Sequence, residues 1–437
     1  MKKTFFFSLA AGLFMLLACN PSNGVNPEGS EPGNKFRYGI NYSNQVILDW
    51  NQMVVVALGG ENYQHSLLAS RMYAMVHVAM HDALNAVAPA YTTYALQRQD
   101  AQAHPVAAAA VAAHTVLSGT FPQQKPSLDS ALTISLAKIP SGDALSRGIE
   151  LGKEAGAAIL ARRQNDGAFQ DPIGAIEPSQ VPGVYQAVPP FNFVFAPFWK
   201  TMQPFSLQTP DQFRVSPQPA LTSTVYAKAY NEVKALGEKN SPTRTADQTF
   251  FAKFWYEFSE KGWNRVARVA AADRKLDLLS TARLFALVNM AMADSYTAGW
   301  DAKFHYNFWR PFTAIRGGAT DGNAATAADA DWEPLMPTPP VHDYPSTHST
   351  LGGSAATVLA LMLGDKTTFT MTSPTADPAS TARTFCSFSQ AAIENAESRV
   401  VAGIHFRFSC EAGLKLGNDI GKWTFSNYLK PRPYTAK

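Results

Sequence analysis

Eight long stretches rich in alanine and other strong helix formers set what this chain can fold into. The first, "SLLASRMYAMVHVAMHDALNAV" (66–87), contains neither proline nor glycine. Comparable runs cover 105–119, 146–164, 224–237, 274–304, 349–363, 381–403 and 411–429. Alanine and unbranched side chains give up little freedom in a helix, so such runs favour it strongly. No segment shows the sustained two-residue alternation that a half-buried sheet demands. The chain is therefore expected to be all-α, with two packed helical bundles.

The boundary between the bundles is also legible. Residues 172–219 hold ten prolines among many aromatics. Such a stretch cannot be helical, and it is too apolar to be a disordered linker. It reads as an ordered belt packed across the helices. Residues 37–222 are assigned to an N-terminal bundle with this belt, and 223–437 to a C-terminal bundle. "VAMHDAL" (78–84) and "MAMADSY" (290–296) both place a carboxylate after an apolar helical run. This is a short echo of the kind a duplicated bundle would leave.

Three cation-bearing stretches stand out against a chain that is 46% hydrophobic and 16% charged. In "WDAKFHYNFWRPF" (300–312), Lys303 and Arg310 are seven residues apart, two helical turns, so they are expected to share a face, and they lie among five aromatics. Pro311 disfavours helical geometry at Arg310, so Arg310 should sit where the helix ends. A solvated face would also explain two cations, but the aromatic neighbours argue for burial, and buried cations need an anion. "DYPSTHSTLGGSAA" (343–356) places Pro345, Ser346, Thr347 and His348 at a helix start. Free backbone N–H groups and hydroxyls there can cradle an anion, although alone this is only an N-cap beside a histidine. In "SRVVAGIHFRFSCEAG" (398–413), Arg399 and His405 are six residues apart. On a straight helix they would not share a face, so Gly403 must permit a bend.

Lys303-x6-Arg310-Pro311, then Pro345-Ser346-x-His348, then Ser398-Arg399-x5-His405 resembles a known tripartite signature. It is shared by vanadium-dependent haloperoxidases and bacterial acid phosphatases of the phosphatidic-acid phosphatase type. "RMYAMVHVAMHDALNA" (71–86), "VPGVYQAVPP" (181–190), "MQPFSL" (202–207), "RTADQTFFAKFW" (244–255) and "ADSYTAGWDAKFHYNFWRP" (293–311) resemble the haloperoxidase branch. The resemblance implies vanadate as cofactor, with hydrogen peroxide and a halide as substrates and an organic acceptor as a further one. It implies that Lys303, Arg310, Ser346, Thr347, His348 and Arg399 surround the oxyanion. His405 would bind the metal, and His348 would act as acid–base. Lys303 would polarise bound peroxide, while Trp300, Val341 and His342 would flank the halide. Asp294, on the same helix as Trp300, is expected either to pair with Arg399 or to be a plain capping or surface carboxylate.

Two departures from the pattern bear on this. Thr347 stands where the family usually has glycine, and Ser409 where most members have an aspartate that orients the histidine. A serine at 409 weighs more against the phosphatase reading, which needs an activated histidine nucleophile. An acid phosphatase and a non-catalytic oxyanion-binding lipoprotein remain the alternatives. His77, His81 and Asp82 have ligand-like spacing but read as packing and hydrogen-bonding residues, and His104 and His114 as structural ones.

The N-terminus concerns location. Lys2, Lys3 and the apolar run from Phe5 to Leu17 form an export signal, and "LLAC" ending at Cys19 resembles a lipobox. The expectation is a signal over 1–18, lipidation of Cys19, a flexible tether over 19–36 and anchoring at the cell envelope by the lipid alone. The formal charge of +3 includes Lys2 and Lys3, so the remaining chain has no bulk field for nucleic acid. Cys386 and Cys410 either form a disulfide or remain thiols.

Overall fold

The structure, a computed structural model, describes residues 42–61 and 63–432. The expected signal, Cys19 and the tether lie outside the described residues. The first bundle comprises α1 (Gln45–Ala57), α2 (Ser66–Val87), α3 (Pro105–Thr120), α4 (Lys125–Leu136) and α5 (Asp143–Arg163). The second comprises α6 (Thr224–Gly237), α7 (Ala246–Phe254), α8 (Ser259–Asp273), α9 (Leu278–Tyr306), α10 (Pro311–Arg316), α11 (Thr347–Leu363), α12 (Phe388–Val401) and α13 (Arg407–Asn427). Helices α2 and α9 pack on each other and join the bundles. The predominantly helical architecture matches the expectation.

The belt is ordered and crosses the second bundle. It holds a short hairpin of β1 (Ile173–Gly174) and β2 (Val194–Phe195). The Tyr185 amide donates to the Asn307 carbonyl at 2.9 Å, and the Trp309 amide to Gly183 at 3.0 Å. The Phe195 amide donates to Pro340 at 2.8 Å. Belt backbone groups that its own hairpin leaves unpaired thus bond to the loops around Arg310 and residues 337–346.

The two bundles repeat one arrangement. Helices α2, α3 and α5 pack mutually, as do α9, α11 and α13. Gly148, Gly152 and Gly156 bring α5 against α3, while Gly413, Gly417 and Gly421 bring α13 against α11; a Cβ at Gly413 would overlap the Ser346 carbonyl. Asp82 on α2 accepts the consecutive amides of Tyr94, Ala95 and Leu96. Asp294 on α9 accepts those of Phe205, Ser206 and Leu207. The sequence echo therefore marks two carboxylates that do the same work.

Two local expectations are corrected. The run at 381–403 is not one helix: Ala382–Phe385 forms β4, paired with β3 (Phe369–Thr372), and α12 starts after the Ser387 cap. Cross-strand Phe369–Phe385 stacking at 5.2 Å and the Thr370–Thr384 pair favour the hairpin there. Helix α9 stops at Tyr306, with Asn307 left-handed at φ 48°, so Arg310 lies beyond the helix and not on its face.

The bend at Gly403 is present. Its φ is +79°, and a Cβ there would overlap the Gly237 carbonyl. Gly403→Ala is therefore expected to destabilise the fold by more than ~1 kcal/mol, since alanine at positive φ is strained even without the clash. Thermal denaturation checks this; an unchanged midpoint would show that the bend tolerates a side chain.

Candidate functional site

Four separate segments converge in the second bundle. Helix α9 delivers Lys303 near its C-terminus, and the extended residue before α10 delivers Arg310. The start of α11 supplies Ser346, Thr347 and His348. The end of α12 and the turn after it supply Arg399 and His405. Lys303 and Arg310 are each 1% exposed, and Arg399 and His405 each 4%. The three motifs that are far apart in the chain are thus brought together and buried, apart from the half-buried His348.

The backbone holds much of the cluster. Lys303 Nζ donates to the carbonyls of His342 (2.6 Å) and Asp343 (3.0 Å). Arg310 Nε donates to Val341 O and its Nη1 to Ile404 O, both at 2.7 Å. Arg310 Nη1 also lies 3.0 Å from His405 Nε2. Arg399 Nη1 donates to Trp255 O at 3.2 Å, while its Nε is buried with no partner. The Ser346 hydroxyl oxygen caps α11 by accepting from Ser349 N (3.4 Å) and Ser349 Oγ (3.0 Å), which leaves its own proton to give.

Charge in the cluster is unbalanced. Among the described residues, no carboxylate lies within ion-pairing distance of Lys303 or Arg399, and Arg310 has Asp343 at 4.0 Å. Burial and the neighbouring Arg310 hold Lys303 well below the usual amine range, although Asp343 opposes this. Burial pushes Arg399 down to about 10. Burial and then Arg310, Lys303 and Arg399 hold His405 well below the usual imidazole value. His348 is likewise held down, by burial and Arg399. Burial pushes Asp343 up. With neutral histidines, three cations face one carboxylate. Such a group suits a tetrahedral oxyanion carrying two or more negative charges.

Several expected residues sit differently from their expected roles. Asp294 does not pair with Arg399. It is fully buried and saturated by three backbone amides and the Ser206 hydroxyl. His348 has both ring nitrogens engaged, Nδ1 with Ser259 Oγ and Nε2 with Trp255 O, each at 2.7 Å. Thr347 is accommodated because Gly299 faces it: a Cβ at Gly299 would come within 3.0 Å of the threonine side chain. Thr347 Oγ1 has no partner. Trp300 donates through Nε1 to Phe195 O at 3.0 Å, which ties α9 to the belt. Val341 is buried, and the His342 ring packs between Tyr185 and Phe304, with centroids 4.6 Å from each.

Other histidines and cysteines are structural. His77 bonds to Asn51, His81 lies beside Asp82, His114 faces Asp129, and His104 caps α3. Among the described residues, no cluster of histidine, cysteine and carboxylate is arranged to hold a metal ion. Cys410 is a buried free thiol, so it does not pair with Cys386.

Three site groups had no assigned role in the sequence reading: Asp343, Ser259 and the Trp255 carbonyl. Asp343 Oδ1 lies 2.8 Å from His405 Nδ1, and Ser409 donates to Asp343 Oδ2. A carboxylate thus stands beside His405 although residue 409 is a serine, and Ser409 bonds to it. Asp343 opens the quoted 343–356 motif, but its 62-residue separation from His405 gave no local signal. Ser259 follows an aromatic run with nothing to mark it, and a carbonyl leaves no trace in sequence.

The chain is similar to known proteins. Residues 283–432 match the family described as the VCPO second helical-bundle domain. Vanadium chloroperoxidase of Curvularia inaequalis is 25% identical, aligning with 85% of this chain and 80% of that protein. The crystal structure of the first bacterial vanadium-dependent iodoperoxidase superposes with a TM-score of 0.76 at 26% identity, covering 92% of this chain and 100% of that one. A holo-type bacterial vanadium-dependent chloroperoxidase gives 0.68 at 16% identity, covering 89% and 98%, and there the likeness is one of fold.

Proposed function

We propose that this chain, a member of the vanadium-dependent haloperoxidase family, oxidises a halide with hydrogen peroxide at the buried cationic cluster, using vanadate as cofactor. The observation that carries the reading is three buried cations opposed by one buried carboxylate. The residues fit a vanadate: the charge surplus, the partnerless Arg399 Nε and the Ser346 proton are what a tetrahedral oxyanion would take up. Iodide and bromide are the expected halides, iodide first because it is the easiest to oxidise.

Lys303, Arg310, Arg399 and Ser346 would hold the oxyanion, and His405 Nε2 would be the ligating nitrogen. When bound, vanadate supplies a Lewis acid that activates peroxide without changing its own oxidation state. Lys303 has given two of its three protons to carbonyls and keeps one for the site. His348 Nε2–H is fixed on Trp255 O, so Nδ1, facing Ser259 Oγ, is the atom that can exchange a proton. Trp300, Val341 and His342, backed by Tyr185 and Phe304, would exclude water and bound the halide's space.

Asp343 also favours a second reading. It stands beside His405 as the orienting carboxylate of a phosphohistidine mechanism would, so the serine at 409 no longer counts against an acid phosphatase. The test is one protein preparation assayed two ways. With vanadate and peroxide, iodide or bromide oxidation is expected, and no hydrolysis of an aryl phosphate without vanadate. Phosphate hydrolysis without halide oxidation would replace the haloperoxidase reading with the phosphatase one. Oxyanion binding with neither turnover would leave a binding protein.

A further inference from the structure

We propose that Asp343 is the positioning residue of His405, a carboxylate supplied in trans along the chain that fixes which ring nitrogen is free to ligate. The inference rests on the reading above only in naming vanadate as the probe. Its structural basis is the tautomer. Arg310 Nη1 lies 3.0 Å from Nε2 and 3.4 Å from Nδ1; a guanidinium can only donate, so the nearer nitrogen, Nε2, is assigned the lone pair. The proton of the neutral ring is then on Nδ1, and the buried group nearest to Nδ1 is Asp343 Oδ1 at 2.8 Å. Oδ1 is buried and makes no aligned hydrogen bond to any group, His405 included, so the Nδ1 that approaches to 2.8 Å is the nearest group that could satisfy it.

Asp343 is itself held on every side. Ser409 donates to Oδ2, the Asp343 amide donates to Phe308 O at 2.9 Å, and the Asp343 carbonyl accepts from Lys303 Nζ. A carboxylate fixed in this way can hold a ring, as carboxylate partners of ligating histidines do. Asp343 is also three residues before Ser346. One loop therefore sets both the histidine's tautomer and the helix-start cradle. A simpler role, neutralising Arg310, is weaker on distance, since that pair is 4.0 Å apart.

The test moves the carboxylate. Full-length wild type, Asp343→Asn and the double variant Asp343→Asn/Ser409→Asp are compared by ¹⁵N NMR of the His405 ring without vanadate and by calorimetric titration with vanadate. The His405 signal is assigned with His405→Gln. Wild type is expected to show protonated Nδ1 and bare Nε2. Asp343→Asn should mix the tautomers and weaken vanadate binding by about 10–100-fold, and Ser409→Asp in that background should restore both. A ring signal and affinity unchanged in Asp343→Asn, or a folded double variant that recovers neither, would overturn the inference. Should Asp343→Asn not fold, Ser409→Ala carries the test. It should mix the tautomers partially and cost a smaller factor in affinity, and no change in either would overturn the inference. Failure of wild type to oxidise halide would remove the haloperoxidase reading but would leave the tautomer result standing.

Discussion

Arg399→Met is expected to weaken vanadate binding by about two to three orders of magnitude and to leave the vanadate-free protein at least as stable as wild type. The first effect follows from losing one member of a buried charge pair, on the order of 3–5 kcal/mol, with tenfold in affinity per about 1.4 kcal/mol. The second follows from the cluster's imbalance. Arg399 has one backbone hydrogen bond, a ring contact with Tyr256 and a partnerless Nε, and its charge acts against His348 and His405. An apolar side chain of similar length removes that repulsion, and buried ionic groups replaced in this way are often neutral or stabilising. Thermal denaturation with and without vanadate reads both. Wild type should gain stability with ligand concentration, as binding to the native state requires, and the variant should gain little. A variant that is unstable alone but gains as much from vanadate would place Arg399 in the fold and outside the site.

Asp294→Ala should cost roughly 3–5 kcal/mol of stability with no loss of vanadate affinity in the folded protein. Removal strands three buried amides, each at about 1–3 kcal/mol when left unsatisfied, with relaxation recovering part, while the Ser206 hydroxyl keeps Thr424 Oγ1 at 2.7 Å. Denaturant titration measures the stability, and calorimetry on the folded fraction measures affinity. The second half separates the observed role from the expected one: a carboxylate paired with Arg399 would alter anion binding when removed. Asp82→Ala, the corresponding change in the first bundle, should produce a loss of similar size, because it strands the amides of Tyr94, Ala95 and Leu96.

The helices were legible wherever one long apolar run could be read locally. Helix α2 spans the run at 66–87, and α6 the run at 224–237. The residues 382–385 were read as helix because the hairpin depends on Phe369 and Thr370, which lie outside the run. The site's cations were legible for a different reason. Three positive charges in apolar surroundings need a partner, and the nearest acids in sequence, Asp301 and Glu397, pair instead with Arg214 and Arg407. What could not be read was which groups restrain them. Asp343 reaches His405 from another segment, His348 rests on Ser259 and a carbonyl from α8 and the residue after α7, and Thr347 fits because Gly299 faces it. Each is a meeting of segments that only the packing brings about. The echo of 78–84 in 290–296 was too short to establish a repeat. The paired arrangement of α2, α3 and α5 with α9, α11 and α13 shows what it marked.

The central claim is that Lys303, Arg310 and Arg399, opposed by Asp343, form one buried site for a tetrahedral oxyanion that turns over halide. Calorimetric titration of the full chain with orthovanadate, with iodide oxidation followed in the same samples, tests it most directly. One vanadate should bind per chain, and turnover should be absent without it and rise in proportion to occupancy. Iodide oxidation independent of vanadate, or saturating vanadate binding with no oxidation of iodide or bromide, would contradict the account.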